Sequence, residues 1–412
     1  MTKVQDPRAQ KTRVQAAKLR SALKDVNAIV EGRNTIPILD CVLLRVEDQR
    51  ITVTATDLDH CAIRDCASDD RDGPDSAKWL AGIRGFAVCL PAKRLEAVLG
   101  EFDGDAMVTV EIDPKSAGRV IVKAGRARFS LPTLPIDDFP LVEHVDTESE
   151  FELSCSQLSD ALACVDHAIS SEETRYYLNG VFLHPVGLDL RFATTDGSRL
   201  ARWQLDGPVG STSFPGVIVS RKSVEVLEKL LASAIKAKKD DQGEPPHVLI
   251  EVGGEGRWLR FSMPAEGGGD VEVVAKTIDG QFPDYDRVIP PSPPHCAVID
   301  RSALAAAVKR VAVLVDVKSR AVRFGFTEGL LTLSVHTPEL GEAVEELPCH
   351  YLGPDFELGL NSKFVREALG AIGSDNVALR FDADAGAAVR IVGWEDEAEA
   401  GALLQILMPV RV

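Results

Sequence analysis

At 412 residues, with 45% hydrophobic and 26% charged residues, the chain is too long for one ordinary core and too apolar to be disordered, so it calls for two or three globular domains. It holds no run of about 18 apolar residues, and its polar start lacks the apolar centre of a secretory signal, which excludes a transmembrane helix and predicts a cytoplasmic protein. A net charge of −17 argues against nucleic acid as a partner unless the positive charge is gathered on one surface, because Lys and Arg dominate phosphate binding.

Residues 1–11 read as a disordered extension. From Arg13 a helix is expected, because Leu19, Leu23, Val26 and Val30 fall at i, i+4, i+7 and i+11 on one stripe. Strands at 38–46 and 51–55 follow, and 69–85, rich in Asp, Gly and Ser, reads as an inserted loop. A short helix carries Leu95, Val98, Leu99 and Phe102. Strands near 108–112, 120–123 and 127–131 then complete the first third. The central third opens on the same stripe, Leu158, Leu162, Val165 and Ile169. It continues with strands at 178–183 and 188–194, a helix carrying Val224, Leu227 and Leu231, and strands near 248–252 and 258–263. After a Pro-rich linker at 290–294 the stripe returns as Leu304, Val308, Val311 and Val315. Strands at 322–326 and 330–335, a helix with Val365, Ala368, Leu369 and Ile372, and strands at 377–381, 388–392 and 403–412 end the chain.

The pattern is one unit used three times, which predicts an α+β fold of three domains, each with two helices and about eight strands. The expected divisions are 12–147 (with the insert), 148–291 and 292–412. Units joined end to end make an arc, and complementary ends would close it head to tail into a ring.

Positive charge gathers on the expected helices. The first carries Arg13, Lys18, Arg20 and Lys24 against Asp25. The helix after Ser220 carries Arg221, Lys222, Lys229, Lys236, Lys238 and Lys239 against Glu225 and Glu228, and the one opening the last third carries Arg301, Lys309 and Arg310. The helix at Leu158, with Asp160, Asp166 and no base, is the exception. Either the bias confines positive potential to one surface of an acidic body, or each helix has an ordinary solvated face. Arg126 and Arg128 make a late strand of the first third basic, while Glu339, Glu342, Glu345 and Glu346 form an acidic run in the last. Each is an exposed strand guarded by charge, or the two are halves of a heterologous interface.

No phosphate-binding loop, nucleophile elbow, zinc-protease or dinucleotide fingerprint is present. Asp57/Asp59 and Asp382/Asp384 are acid pairs that a metal-dependent hydrolase could use. Thr56-Asp57 and Thr195-Asp196, however, hold equivalent places at the ends of strands in successive units, which favours a turn role. The eight cysteines show no CxxC spacing and read as reduced core thiols rather than zinc ligands. The chain reads as non-enzymatic, with no metal and no cofactor.

Several segments together carry a recognisable pattern: GRNTIPILDCVLL from Gly32, RFSLPTLPIDDFP from Arg128, TRYYLNGVFL, TTDGSRLA, IDGQFPDYDRVIP and the terminal MPVRV. In order and over all three thirds, they resemble the bacterial DNA polymerase III beta subunit, the sliding-clamp family. The resemblance implies a DNA-clamp fold that dimerises head to tail into a ring around duplex DNA, with basic helices lining the pore and sheets outside. It places Arg33, Tyr176 and Tyr177 near DNA, with Arg221 and Lys222 as pore bases; strand packing is the other reading of the tyrosines. It also implies a groove for partner peptides formed by Leu178, Thr195, Gly197, Arg199, Leu200, Pro283, Arg287, Val288, Asn361, Phe364, Ile406, Met408 and Pro409. The implied dimer contact sets Arg126, Arg128, Phe129 and Leu131 against Val313, Leu314, Glu339, Glu342, Glu345 and Glu346. Implied partners are a second copy of the chain, the DNA polymerase III alpha subunit, the clamp-loader delta subunit and other proteins with a clamp-binding motif, and no membrane. Ser198 stands where the family commonly has His, Ser319 where a larger side chain is frequent, and Asp286 where a base is usual, which leaves the peptide preference open. A specialised second clamp, or a clamp-fold DNA-binding scaffold without ring closure, is the alternative reading.

Overall fold

The computed structural model describes residues 11–32, 34–47, 50–67, 85–140, 146–239, 244–291, 293–316, 320–395 and 398–412. Residues 1–10 of the expected extension, the expected insert up to residue 84, Arg33 and Ser319 lie outside the described residues. The α-helices are α1 (Ala16–Asn27), α2 (Ala92–Gly100), α3 (Cys155–Val165), α4 (Arg221–Lys239), α5 (Arg301–Val311) and α6 (Ser362–Gly370). Among the described residues, each third of the chain supplies two of them and eight strands, the α+β repeat expected from the three stripes. All three stripes are buried, from Leu19, Leu23 and Val26 to Leu304, Val308 and Val311.

The chain forms two compact units, residues up to 159 with 225–277, and residues 160–224 with 278–412. In the first, an eight-stranded antiparallel sheet runs in the order Phe86–Pro91, Cys41–Glu47, Arg50–Thr56, His60–Ala67, Asp270–Lys276, Trp258–Pro264, His247–Gly253, Thr147–Ser154. Strands of the first and central thirds meet in it at Cys61 opposite Val274. A four-stranded sheet runs Lys11–Gln15, Met107–Ile112, Arg119–Ala124, Ala127–Pro132, and α1 packs on α2 and on His60–Ala67.

The second unit repeats the design. Its eight-stranded sheet runs Val217–Ser220, Gly180–Val186, Asp189–Thr195, Arg199–Asp206, Ala398–Leu407, Val389–Glu395, Asn376–Phe381, His295–Asp300. Here the central and last thirds meet at Leu200 opposite Ile406. The four-stranded sheet runs Gly341–Pro348, Leu330–Thr337, Ala321–Thr327, Phe356–Asn361, and α5 packs on α6.

Several expected boundaries move. Arg13 belongs to a strand, not a helix: Thr12 and Val14 are buried while Arg13 is exposed, the period of two that pairs Lys11–Gln15 with Met107–Ile112. Leu178 ends the 3₁₀ turn Glu173–Leu178, and the strand starts at Gly180, where a Cβ would overlap the Val219 carbonyl. The last strand stops at Leu407, two residues before Pro409, which has no N–H for the ladder.

One polar group fixes the first unit. Arg64, 2% exposed, donates from Nε to Asp25 Oδ2 at 3.0 Å and from Nη2 to the carbonyls of Glu266 and Gly268, both at 2.9 Å. A first-third strand is thereby tied to a central-third turn whose three glycines, 267 to 269, have positive φ. Burial still raises the Asp25 carboxyl above the ordinary range despite Arg64. Arg64→Met strands a buried carboxylate and two carbonyls, so urea unfolding should register a loss of about 3–5 kcal/mol.

Candidate functional site

The site grows from a turn built twice. Thr195 Oγ1 donates to the Arg199 carbonyl at 2.6 Å, and Asp196 Oδ1 accepts from the backbone N–H of Ser198 and Arg199. Thr56 donates in the same way to the His60 carbonyl at 2.8 Å, and Asp57 accepts from Asp59 and His60. The turn role expected of both Thr-Asp pairs is what the geometry has. The two turns share Thr and Asp and differ at the three residues that follow, the first of which bears on the site. Gly197, at φ +90°, sits where Leu58 holds a left-handed φ of +83°. A Cβ at Gly197 would fall 2.5 Å from Arg175 Nη1, so glycine keeps this side open.

Beside Gly197 lies a cavity of about 270 Å³. Strand ends supply Thr195, Arg199, Leu200 and Ile406; the 3₁₀ turn supplies Arg175, Tyr177 and Leu178. Pro283, Asp284, Tyr285 and Val288 form another side, and Met408 closes it. Leu178, Leu200, Phe282, Tyr285, Leu404 and Ile406 belong to one buried cluster that floors it. Phe282 stacks on Phe182 at 4.8 Å, and Tyr285 Oη lies 2.8 Å from His184 Nε2. Burial, aided by Arg191, pushes His184 down to about 4, so the ring is neutral at physiological pH, and burial raises the Tyr285 phenol.

The walls are held by charge. Arg199, 7% exposed, donates from Nε to Asp196 Oδ2 at 2.9 Å, pairs with Glu367 on α6 and lies 4.1 Å over the Phe364 ring. Asn361 caps α6 by accepting from the N–H of Lys363 and Phe364. Arg175 is held by a bidentate contact to Glu172, both bonds 2.7 Å. The Met408 N–H donates to the Ser198 carbonyl at 2.9 Å.

Nine of the thirteen residues expected in a groove therefore line one cavity. Phe364 stands behind Arg199, and Asn361, the cap of α6, lies outside the lining. Arg287 points out, paired with Asp284 at 2.7 Å, and Pro409 follows Met408 outside the lining. Arg175, Tyr177, Asp284 and Tyr285 line it as well. All four lie in the TRYYLNG and FPDYD segments already singled out, but a strand reading of the first gave no cue that its side chains turn inward.

Tyr176, 53% exposed, packs edge-on against Tyr177. The Arg221 guanidinium donates to the Ile169 and Ser170 carbonyls, and Lys222 is half-buried beside it in sequence. Ala127–Pro132 and Gly341–Pro348 are outer strands of the two four-stranded sheets. Arg126, Arg128 and Phe129 are exposed, while Leu131 faces the core. Val313, Glu339, Glu342 and Glu346 are exposed, Leu314 is half-buried, and Glu345 is paired with Arg310. Among the described residues no helix is long and apolar enough to cross a membrane.

Three like domains joined through shared sheets define a DNA clamp, a non-catalytic processivity factor. Family models of the DNA polymerase III beta subunit match in order, the N-terminal domain over residues 10–143, the central domain over 152–284 and the C-terminal domain over 286–411. The chain is 35% identical to the beta sliding clamp of Caulobacter vibrioides, over 98% of its own length and all of that protein. It is 31% identical to that of Escherichia coli, over 97% and 99%. Of solved structures, a Bartonella birtlesii sliding clamp bound to griselimycin superposes with a TM-score of 0.86 at 32% identity, covering 98% of this chain and 100% of that one. A Caulobacter crescentus clamp gives 0.84 at 34%, with the same coverage. The chain belongs to the DNA polymerase III beta subunit family and is a DNA sliding clamp of DNA replication, with DNA and the polymerase as its classes of partner.

Proposed function

We propose that two copies of this chain join head to tail into a ring that encircles duplex DNA and tethers the replicative polymerase through the cavity beside Gly197. The observation that carries the ring is a pair of outer sheet edges of opposite charge on one chain, each uncovered among the described residues. Ala127–Pro132 follows Arg126 and bears Arg128, while Gly341–Pro348 bears Glu342 and Glu346. Complementary, unlike edges make a heterologous contact, and a half-turn between copies closes it. The domains of the repeat are 12–147, with the insert at 69–85, then 148–291 and 292–412.

A ring holds DNA by topology, so its phosphate contacts need only be weak and blind to sequence, which suits a chain of net charge −17 with basic helices. Arg33, Tyr176, Tyr177, Arg221 and Lys222 supply such contacts. The apolar floor with Met408 at its mouth suits a short peptide carrying a few apolar anchors. Its owners are the polymerase alpha subunit, the clamp-loader delta subunit and other motif-bearing proteins, in the cytoplasm.

Retention on DNA tests the ring. The protein is loaded by its clamp loader onto nicked circular DNA, free protein is removed, and the circle is cut. Retention on the circle with loss on cutting is expected. Equal retention on circle and linear DNA would mean affinity binding by a clamp-fold scaffold without closure.

A further inference from the structure

Beyond the cavity floor, the same face of the eight-stranded sheet turns from apolar to cationic. Arg202 lies two residues past Leu200 on one strand, and Arg390 stands opposite Ile406 with Arg380 opposite it in turn. Arg191 occupies the neighbouring strand, donating from Nε to Gln204 Oε1 at 2.8 Å. The band is recessed: the side chains of Arg191 and Arg202 are only 15% and 20% exposed.

Among the described residues, Arg191 and Arg202 share one acid, Asp286. Asp286 Oδ2 lies 3.3 Å from Arg191 Nη1, and its Oδ1 stands 3.9 Å from Arg202 Nη1, the limit of an ion pair. Arg202 Nε is buried with no hydrogen-bond partner among the described residues. Burial and the like charges of Arg191 and Arg390 depress the Arg202 guanidinium, the signature of crowded cations. Asp286 itself is more than half exposed and sits on the one-turn helix Tyr285–Val288, whose two end residues line the cavity. With its carboxylate open to solvent, Asp286 is held less tightly than in a buried pair, so a second carboxylate can exchange for it at modest cost.

From this geometry we infer that Arg202, backed by Arg191, reads an acidic side chain flanking the apolar anchors of the partner peptide, and that Asp286 is the internal carboxylate competing for that place. The inference rests on the cavity being a peptide groove. It makes Asp286 a specificity-determining residue: the resident acid weakens, without abolishing, the preference for an acidic partner segment. A recessed pair of guanidiniums beside Tyr285, itself part of the apolar pocket's lining, suits one side-chain carboxylate better than the rigid backbone of duplex DNA.

The test uses the full chain and matched fluorescent peptides with adjacent Leu and Phe anchors, flanked on either side by Asp or by Asn. Polarisation titrations with the unaltered protein should give the Asp peptide about 5-fold tighter binding, a gap that closes as salt rises. Asp286→Asn should widen the gap to about 20-fold while leaving the Asn peptide unchanged. Arg202→Gln, checked for folding by its melting temperature, should erase the gap. Equal affinities for the two peptides in both the unaltered protein and Asp286→Asn would overturn the inference with the groove intact. Failure of both peptides to bind any variant would instead remove the groove reading. If Asp286→Asn tightened a duplex oligonucleotide but neither peptide, the cations would be a DNA contact and the inference would fall.

Discussion

Exchanging Arg126 and Arg128 for glutamate is expected to convert the proposed dimer into 44.5 kDa monomers in sedimentation at micromolar concentration. Among the described residues, no strand covers the outer side of either Ala127–Pro132 or Gly341–Pro348, so each presents a row of unpaired N–H and C=O groups. Left bare, such edges are sites of indiscriminate pairing; charge of opposite sign makes the pairing selective. Exposed apolar groups lie on both sides as well, Phe129 on one and Val313 and Val344 on the other, where association would bury them. Reversal sets glutamates against Glu339, Glu342 and Glu346. Several kcal/mol of like-charge repulsion weakens the dissociation constant by roughly 10²–10⁴-fold. Adding Glu342→Arg and Glu346→Arg to the reversed chain should bring the dimer back, because the pairs then match again with signs exchanged. Glu345 is left alone because Arg310 already holds it. A double mutant that stays dimeric would place the interface elsewhere.

The three apolar stripes made the repeat legible, because a buried helix face must recur at helical spacing whatever lies around it. Sheet order was not legible in the same way. His60–Ala67 and Asp270–Lys276 pair across more than two hundred residues, and nothing in HCAIRDCA announces a partner so distant. The same holds for Arg199–Asp206, which no expected strand covers although it is the strand joining the central and last thirds. The cavity was legible only in part for a related reason. Thr195, Gly197 and Leu200 were expected there from the family resemblance, whereas Tyr285 was not, and it lines the cavity because Phe282 and His184 pack its ring there, a tertiary fact. Charge misled in one place: Asp25 looked like a stray acid on a basic helix, yet it is the buried partner of Arg64.

Removing Met408–Val412 should abolish binding of partner peptides in a titration while leaving the proposed dimer intact. Met408 closes the cavity, and its N–H is fixed to the Ser198 carbonyl. The segment behind it is fixed in turn: the Val410 N–H donates to the Gly359 carbonyl at 2.9 Å, and a Cβ at Gly359 would overlap the Val410 oxygen. Losing the Met408 side chain removes about 2–3 kcal/mol of apolar contact from a bound peptide, roughly 30–100-fold in affinity. Met408→Asp should approach the same loss, since it puts a carboxylate at the mouth of an apolar pocket without disturbing the tail. Gly359→Ala should reach part of it from a residue that does not line the cavity, by lifting the segment. The comparison also separates two roles of the tail. Arg411 and Val412 border a second cavity with Glu342 and Val344 of the acidic edge. If truncation yields monomers while Met408→Asp stays dimeric, the last two residues brace that edge, and the groove and the interface share one C-terminal segment. Peptide binding that survives both changes would refute the assignment of Met408 to the groove.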